Sequence, residues 1–275
     1  MYELKRVFIK TKTNLHVGNG AVNYDIVDKT VQRDSISNLP IINSSSLKGA
    51  LRDYAEPFAK GDHNLQQDSF KKLFGDDTQG LVRFLDSYLL FLPLRSNTKP
   101  FYHATSKDNL LAAVNFYQEL GYNIEEKVLN EIRKLNDNVV LNSQISIIED
   151  VECIPQSDID VDLLLSFIPN LLRPKNIAIL SCENFNDVVK HLPVMARNSL
   201  DDGGKSKNLW YEEFVPRESI FYTAMLDYDN FGSSSQVNYK GAYNAFFSLL
   251  EENYIQVGAN ASIGFGMCKF VVGEE

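Results

Sequence analysis

Alternating hydrophobic and polar positions predict strands near both ends of the chain. Residues 4–16 place valine, isoleucine, threonine and leucine at every second position, which is the period of a half-buried strand. Residues 217–228 alternate in the same way, and two more strands within 254–272 flank a glycine-rich turn. Between these ends, residues 80–86 read as a strand, and the unbroken apolar run of 87–96 predicts a strand that is buried on both faces.

Four segments carry apolar residues with the spacing of an amphipathic helix. They are residues 46–59, 106–120, 124–135 and 239–252. The order strand, helix, strand, strand therefore occurs twice, with insertions between the two halves. This order predicts an α+β fold with an antiparallel sheet and helices on one face.

A long polar loop, residues 17–43, separates the first strand from the first helix. Loops of this length are usually functional or disordered. This one carries the carboxylates Asp25 and Asp28, and also Arg33, which could stabilise a phosphate or simply pair with Asp34. The loop therefore holds the strongest candidates for chemistry in the chain.

The start of the first helix offers groups that suit a phosphate. Ser45 and Ser46 are good helix caps, and Lys48 and Arg52 lie one turn apart on the same face. A helix N-terminus favours anions through its free N–H groups and its dipole. The alternative is an ordinary capped helix with two solvated charges.

A second informative stretch lies at residues 192–216. Asp-Asp-Gly-Gly at 201–204 separates two extended runs and predicts the tip of a β-hairpin. Trp210 and Tyr211 offer aromatic surface on which bases could stack. The alternative is a hydrophobic hairpin that packs on its own domain.

Composition and charge narrow the function without deciding it. The net charge of −9 argues against nucleic-acid binding, but residues 1–60 carry nine basic against six acidic residues, whereas 121–170 carry three against ten. A chain with this asymmetry can hold RNA on one face. Three widely spaced cysteines predict reduced, buried thiols of a cytosolic protein, and no apolar run reaches the roughly 20 residues of a membrane span.

Missing motifs exclude most common enzyme classes. No phosphate-binding GxxxxGK[ST] loop, no HExxH and no serine in a nucleophile-elbow context occurs, and none of the four histidines stands in a ligand-like pair. Carboxylate chemistry in the long loop remains, where a divalent cation could assist phosphodiester cleavage.

Several motifs together resemble the RAMP superfamily of CRISPR effector proteins, and more narrowly the backbone subunit of type III complexes. They are TNLHVGNG (13–20), VDKTVQR (27–33), LPIINSSSLKGALR (39–52), PLRS (93–96), LWYEE (209–213) and the glycine-rich turn GANASIGFG (258–266). The LWYEE motif favours the type III-B (Cmr) subtype. Ala259 and Phe265 depart from the pattern, where a glycine and an arginine are expected, and this weakens the case for phosphate contact by the turn.

The resemblance implies a fold and a set of partners. It implies one domain over 1–275 with an RRM-like (ferredoxin-like) core at about 1–96 and 176–275. It also implies a helical insertion at about 97–175 and a protruding β-hairpin thumb at about 192–216. The implied partners are guide RNA, target RNA, further copies of the chain and other subunits of a cytoplasmic complex, with no membrane.

The resemblance also implies roles for individual residues. Asp28 falls on the family's cleavage residue and would help to hold Mg²⁺ or another divalent cation. Further candidates for proton transfer or positioning are His16, Tyr211, Glu212 and Glu213, although His16 could equally be structural. The RNA-binding candidates are Arg33, Ser45, Ser46, Lys48, Arg52, Arg197, Trp210, Gly264 and Gly266. Two alternatives stay open, namely a guide-RNA scaffold without cleavage and a guide-processing endoribonuclease that acts alone through a histidine.

Overall fold

Twelve strands form one large sheet in the structure, a computed structural model that describes residues 3–20, 26–60, 67–77, 79–227 and 239–273. These strands are β1 (Glu3–Thr11), β2 (Ile41–Ile42), β3 (Val82–Phe84), β4 (Ser87–Leu94), β5 (Tyr102–Ser106), β6 (Val139–Leu141), β7 (Ser146–Ile148), β8 (Val151–Gln156), β9 (Ile177–Leu180), β12 (Ile220–Asp227), β13 (Tyr254–Gln256) and β14 (Met267–Val272). A separate two-stranded sheet consists of β10 (Val194–Leu200) and β11 (Ser206–Glu213). The helices of the described residues are α1 (Ser44–Lys60), α2 (Gln67–Phe74), α3 (Lys107–Glu119), α4 (Glu126–Lys134), α5 (Val161–Leu164), α6 (Cys182–Lys190) and α7 (Tyr239–Glu252). The predicted α+β class is confirmed.

The large sheet is mixed, not antiparallel as the element order predicted. Its central strands run β14–β1–β12–β4 with every neighbour antiparallel. Beyond β4 the order continues β5–β9–β6–β8–β7, where β5 pairs with β9 and β6 pairs with β8 in parallel. The connection from β5 to its parallel neighbour β9 contains α3, α4 and α5, and the connection from β6 to β8 contains strand β7.

Helices cover both faces of the sheet, so the expectation of a half-buried first strand is wrong. Val7 and Ile9 point into a core formed with α1, α2 and α7, while Phe8 between them points into a second core with α3 and α4. All three side chains are fully buried. The alternating pattern of β1 could not reveal the second face, because the helices that cover it come from residues about 100 positions later. The burial of β4 on both faces is confirmed.

Residues 97–175 contain the predicted helices and also extend the sheet. Strands β5 to β8 lie in this segment, and residues 139–148 are divided into β6 and β7. The division follows from Asn142, whose backbone is left-handed (φ 48°). The acidic stretch that follows forms β8 and α5. The domain boundaries drawn from the sequence stay predictions.

The hairpin predicted around residues 201–204 is confirmed. Strands β10 and β11 pair along the hairpin, beginning with Val194 opposite Glu213. At the tip, the Asp201 carboxylate accepts hydrogen bonds from the backbone N–H groups of Gly203 and Lys205 at 2.9 and 2.8 Å.

Cysteine burial is confirmed for Cys153 and Cys268, where it raises the pKa of the thiols to about 11 and about 12. Cys182, at the start of α6, is exposed and departs from that expectation. Within the described ranges, no helix is both long and apolar enough to cross a membrane.

Candidate functional site

The loop that carries Asp28 docks along strand β11 at the base of the hairpin. The Lys29 N–H donates to the Tyr211 carbonyl (3.1 Å), and the Glu213 N–H donates to the Lys29 carbonyl (2.8 Å), which together form a short parallel bridge. One oxygen of Asp28 accepts the Tyr211 N–H at 2.7 Å. Residues 26–33, here called the Asp28 loop, are therefore held against the hairpin by their own backbone and by the Asp28 carboxylate.

Asp28 keeps one carboxylate oxygen open. The side chain is exposed, and in the described part of the chain its second oxygen makes no hydrogen bond or ion pair. Asp25, the other carboxylate predicted in this loop, lies outside the described residues. Asp28 is therefore an anion with a fixed position and a free coordinating atom, as the cleavage role requires.

Glu213 clamps the Asp28 loop from the buried side. Its Oε1 lies 2.5 Å from Nη2 of Arg33, and its Oε2 accepts the Val31 N–H at 2.9 Å. Arg33 therefore pairs with Glu213 and not with Asp34, which instead closes its own turn by accepting from Ser37. Because both oxygens of Glu213 are occupied by the protein, the geometry favours positioning over proton transfer, the two roles predicted for this residue.

Glu212 and His16 join the hairpin to the glycine-rich turn. Oε2 of Glu212 accepts from Nε of Arg197 (3.1 Å) and from the side-chain amide of Asn260 (2.8 Å), and its Oε1 lies 3.5 Å from Nε2 of His16. The His16 Nδ1 donates to the Glu213 carbonyl at 2.6 Å. Both Glu212 and His16 are buried, so a substrate cannot reach them without rearrangement of the hairpin.

The glycine-rich turn is shaped mainly by packing. Gly266 has a left-handed backbone (φ 76°), and a Cβ at that position would collide with the Val257 carbonyl. Gly264 is also left-handed (φ 79°) but faces open space. Phe265 packs against Phe214, and the Arg197 guanidinium lies 4.6 Å from its ring centroid. Phosphate binding by Gly264 and Gly266 stays a prediction, and the open surface of the turn lies at Gly264.

Gly266→Ala is expected to destabilise the fold more than Gly264→Ala. Both variants place a side chain on a left-handed backbone, which costs about 1 kcal/mol. Gly266→Ala adds the collision with Val257, so we expect a total of about 3 kcal/mol. Urea unfolding of the two variants measures the difference, and equal losses of unfolding free energy would contradict the packing role of Gly266.

Aromatic and basic side chains flank Asp28 on the hairpin. Tyr211 is 40% exposed, whereas Trp210 is partly buried. The ammonium of Lys29 lies 5.3 Å from the centroid of the Trp210 ring, within the range of a cation–π contact. A stacking role for Trp210 stays a prediction, and Tyr211 presents the more open ring.

The predicted helix start is tied to the Asp28 loop. Helix α1 begins at Ser44, two residues earlier than expected, because the Asp86 carboxylate accepts the Ser44 N–H at 2.6 Å. The Gln32 amide donates to Oγ of Ser46 (3.0 Å) and to the Gly18 carbonyl (3.2 Å). Gln32 therefore joins the loop before Asp28, the Asp28 loop and α1.

RNA binding by the basic pair on α1, Lys48 and Arg52, stays a prediction. Ser45 is exposed and Lys48 makes no ion pair within the described residues, while the Arg52 guanidinium lies 6.0 Å from the Phe70 ring.

Sequence reasoning missed the residues that assemble the site, namely Lys29, Gln32, Asp86 and Asn260. Lys29 alone had a usable signal, its place directly after Asp28.

A divalent cation would find one protein ligand here. In the ranges that the structure describes, no group of three or more His, Cys, Asp or Glu side chains could hold a metal ion. Glu212 and Glu213 face arginines, so Asp28 supplies the open oxygen. Mg²⁺ is commonly bound through one or two carboxylates together with substrate phosphates. The residues present thus suit an ion shared with RNA, and they do not form a site that the chain could fill by itself.

The chain is similar to known proteins over nearly its whole length. The "CRISPR system Cmr endoribonuclease Cmr4" of Pyrococcus furiosus is 27% identical over 98% of this chain and 95% of its own length. A chain from a type III-B Cmr-beta complex bound to cognate target RNA has a TM-score of 0.77 at 23% identity and covers 98% of this chain and 97% of that chain. A chain of oligomeric Cmr4 from Pyrococcus furiosus has a TM-score of 0.71 at 21% identity and covers 99% and 98%. These solved structures show the fold.

The family assignment comes from the sequence of nearly the whole chain. The sequence pattern of the RAMP superfamily matches residues 8–269, which include the Asp28 loop, the hairpin and the glycine-rich turn. The chain belongs to the RAMP superfamily.

Proposed function

We propose that this chain is a backbone subunit of a type III-B CRISPR effector complex, which binds guide RNA and cleaves the paired target RNA. One observation carries the proposal: Asp28 is fixed by the Tyr211 N–H at the base of the hairpin, with its second oxygen open. The printed name of the Pyrococcus furiosus relative, an endoribonuclease aligned over nearly the whole chain, supports the same activity. The likeness to a target-bound type III-B chain supports the same setting, which would be cytoplasmic.

We infer that the core is RRM-like. The central order β14–β1–β12–β4 is antiparallel throughout. Helix α1 lies in the connection from β1 to β4, and α7 lies in the connection from β12 to β14. Strand, helix, strand, strand, helix, strand with this order is the ferredoxin-like arrangement. The remaining strands and helices, including the hairpin, would then be additions to that core.

The geometry suggests how the chain would act on target RNA. The hairpin, as a thumb, would separate target bases next to Asp28, and the exposed Tyr211 ring would support one of them by stacking. Asp28 would orient the scissile phosphate, and its open oxygen would help to hold a divalent cation such as Mg²⁺. Such an ion would neutralise phosphate charge. Glu213 with Arg33 would hold the loop against the hairpin, and Glu212 with Arg197 would hold the two strands of the hairpin together.

Guide RNA would lie along the basic start of α1. Ser45, Ser46, Lys48 and Arg52 offer donors and charge to a sugar–phosphate backbone without reading its sequence. The acidic stretch 121–170 would repel RNA, so that face would meet solvent or protein subunits, including further copies of the chain.

Cleavage of guide-paired target RNA by the reconstituted complex tests the proposal. We expect cuts at regular intervals, one for each copy of the chain, and none without guide RNA. Target binding at normal affinity without any cuts would identify the chain as a guide-RNA scaffold that does not cleave. Cleavage of precursor guide RNA by the isolated chain would identify a guide-processing enzyme instead. Both results would contradict the proposed activity.

A further inference from the structure

Lys29 follows Asp28 directly and shares its anchoring on the hairpin. We propose that Lys29 is a second catalytic residue, whose ammonium contacts the scissile phosphate and stabilises the charge that develops there. The inference rests on the proposed function and adds a residue to the same site. Lys29 remains protonated throughout and neither gives nor takes a proton.

The backbone of Lys29 is fixed on both sides. Its N–H is bound by the Tyr211 carbonyl, and its carbonyl is bound by the Glu213 N–H, so the residue forms a bridge to β11 although it belongs to a loop. The hydrogen bond from Tyr211 to the Asp28 carboxylate joins the same stretch of β11. The side chains of Asp28 and Lys29 therefore leave from neighbouring points of a rigid support, which is what a catalytic pair requires.

The ammonium of Lys29 is the uncommitted positive charge of the Asp28 loop. Arg33, the other cation of this loop, is paired with Glu213, and Arg197 of the hairpin is paired with Glu212. Lys29 is exposed and makes no ion pair with a carboxylate in the described ranges. It is therefore free to approach an anion without first breaking an ion pair.

Asp28 alone cannot stabilise the negative charge that develops on the scissile phosphate. A phosphodiester is an anion, and its cleavage places further negative charge on the phosphate oxygens. With Asp28 as the single open protein ligand among the residues that the structure describes, a shared cation would be held weakly. A fixed positive group aimed at the developing charge is an effective form of catalysis in a partly desolvated site. Lys29 is placed to supply it.

Trp210 is the positioning residue for this lysine. Its ring lies beneath the Lys29 ammonium at 5.3 Å, and its own place is set by the pairing of β11 with β10, where it faces Arg197. A lysine side chain has several rotatable bonds, and an aromatic face restricts where its ammonium spends time. The indole therefore holds the charge on the hairpin, over residue 210, before RNA arrives.

Single-turnover cleavage by the reconstituted complex, at saturating target RNA, tests the assignment. We expect Lys29→Ala to lower the rate constant about 100-fold, because it removes one group that stabilises transition-state charge. Target affinity should change far less. Lys29→Arg keeps the charge and should retain most of the rate, and Lys175→Ala, which removes an exposed lysine elsewhere, should match the wild type. Thermal unfolding of each variant checks that the fold is intact.

A double-mutant cycle tests Trp210. We expect Trp210→Leu to slow single-turnover cleavage about 10-fold and to have no further effect when Lys29 is already alanine, since the two residues act as one unit. Trp210→Phe keeps an aromatic face and should recover part of the loss.

Three results would overturn the inference. Weaker target binding by Lys29→Ala with an unchanged single-turnover rate would make Lys29 a simple phosphate contact. Wild-type behaviour of Lys29→Ala in both measurements would make it an ordinary surface lysine. A wild-type complex that binds target without cutting it would remove the proposed function together with this inference, and that result is recognised before any variant is made.

Discussion

Asp28→Asn is expected to lower target-RNA cleavage about 1,000-fold at every cut position, while the complex still assembles and binds its target. An asparagine oxygen can accept the Tyr211 N–H in place of the carboxylate, so the Asp28 loop should stay docked. The charge that orients the phosphate and holds a cation is lost, and losses of this size are usual for a central catalytic group.

Denaturing gels of single-turnover reactions, with Mg²⁺ and with a chelator, measure this effect. We expect the wild-type complex to lose cleavage in chelator and the Asp28→Asn complex to be slow in both conditions. Asp53→Asn, which neutralises an exposed carboxylate on α1, is the matched control and should cleave normally. Unchanged cutting by the Asp28→Asn complex would reject Asp28 as the centre and direct attention to Glu212, Glu213 and His16.

Glu213→Ala is expected to cost about 3 kcal/mol of unfolding free energy and to abolish cleavage. The variant leaves the Arg33 guanidinium without its carboxylate and the Val31 N–H without its acceptor. Val31 is buried and Arg33 is half-buried, so water replaces these lost contacts poorly. Without that clamp, Asp28 is no longer held at the hairpin. Urea unfolding of the chain and single-turnover cleavage by the complex measure the two effects.

Glu213→Gln separates positioning from proton transfer. The single amide oxygen of glutamine can accept from either the Val31 N–H or the Arg33 guanidinium, so a clamp should keep part of its cleavage. A proton-transfer group would lose its function in glutamine as completely as in alanine. Equal and complete loss in both variants, with the glutamine variant stably folded, would contradict the positioning role.

Local signals in the sequence predicted the local parts of the fold. Asp-Asp-Gly-Gly at 201–204 predicts a tight hairpin because Asp201 can satisfy the turn by itself, and the apolar run of β4 predicts burial on both faces. The second layer of helices was beyond such reasoning. The burial of Phe8 depends on α3 and α4, and no pattern within β1 records which distant helices will cover it.

The sequence named candidate residues of the site but not the contacts that bring them together. Resemblance to the RAMP superfamily singled out Asp28, yet the hydrogen bond that fixes it comes from Tyr211, 183 positions later. The sequence offers a phosphate or the neighbouring Asp34 as the partner of Arg33, whereas its partner in the structure is Glu213, 180 positions later. Side-chain roles at a site formed between remote segments depend on tertiary contacts, which spacing within one segment cannot supply.

Cryo-electron microscopy of the complex carrying Asp28→Asn, bound to guide RNA and uncut target RNA, tests the central claim most directly. The account predicts that the scissile phosphate of each target segment lies beside the side chain at position 28, with the Lys29 ammonium on the same phosphate and the hairpin inserted next to it. A scissile phosphate that lies at another carboxylate of the chain, with position 28 facing solvent, would contradict it.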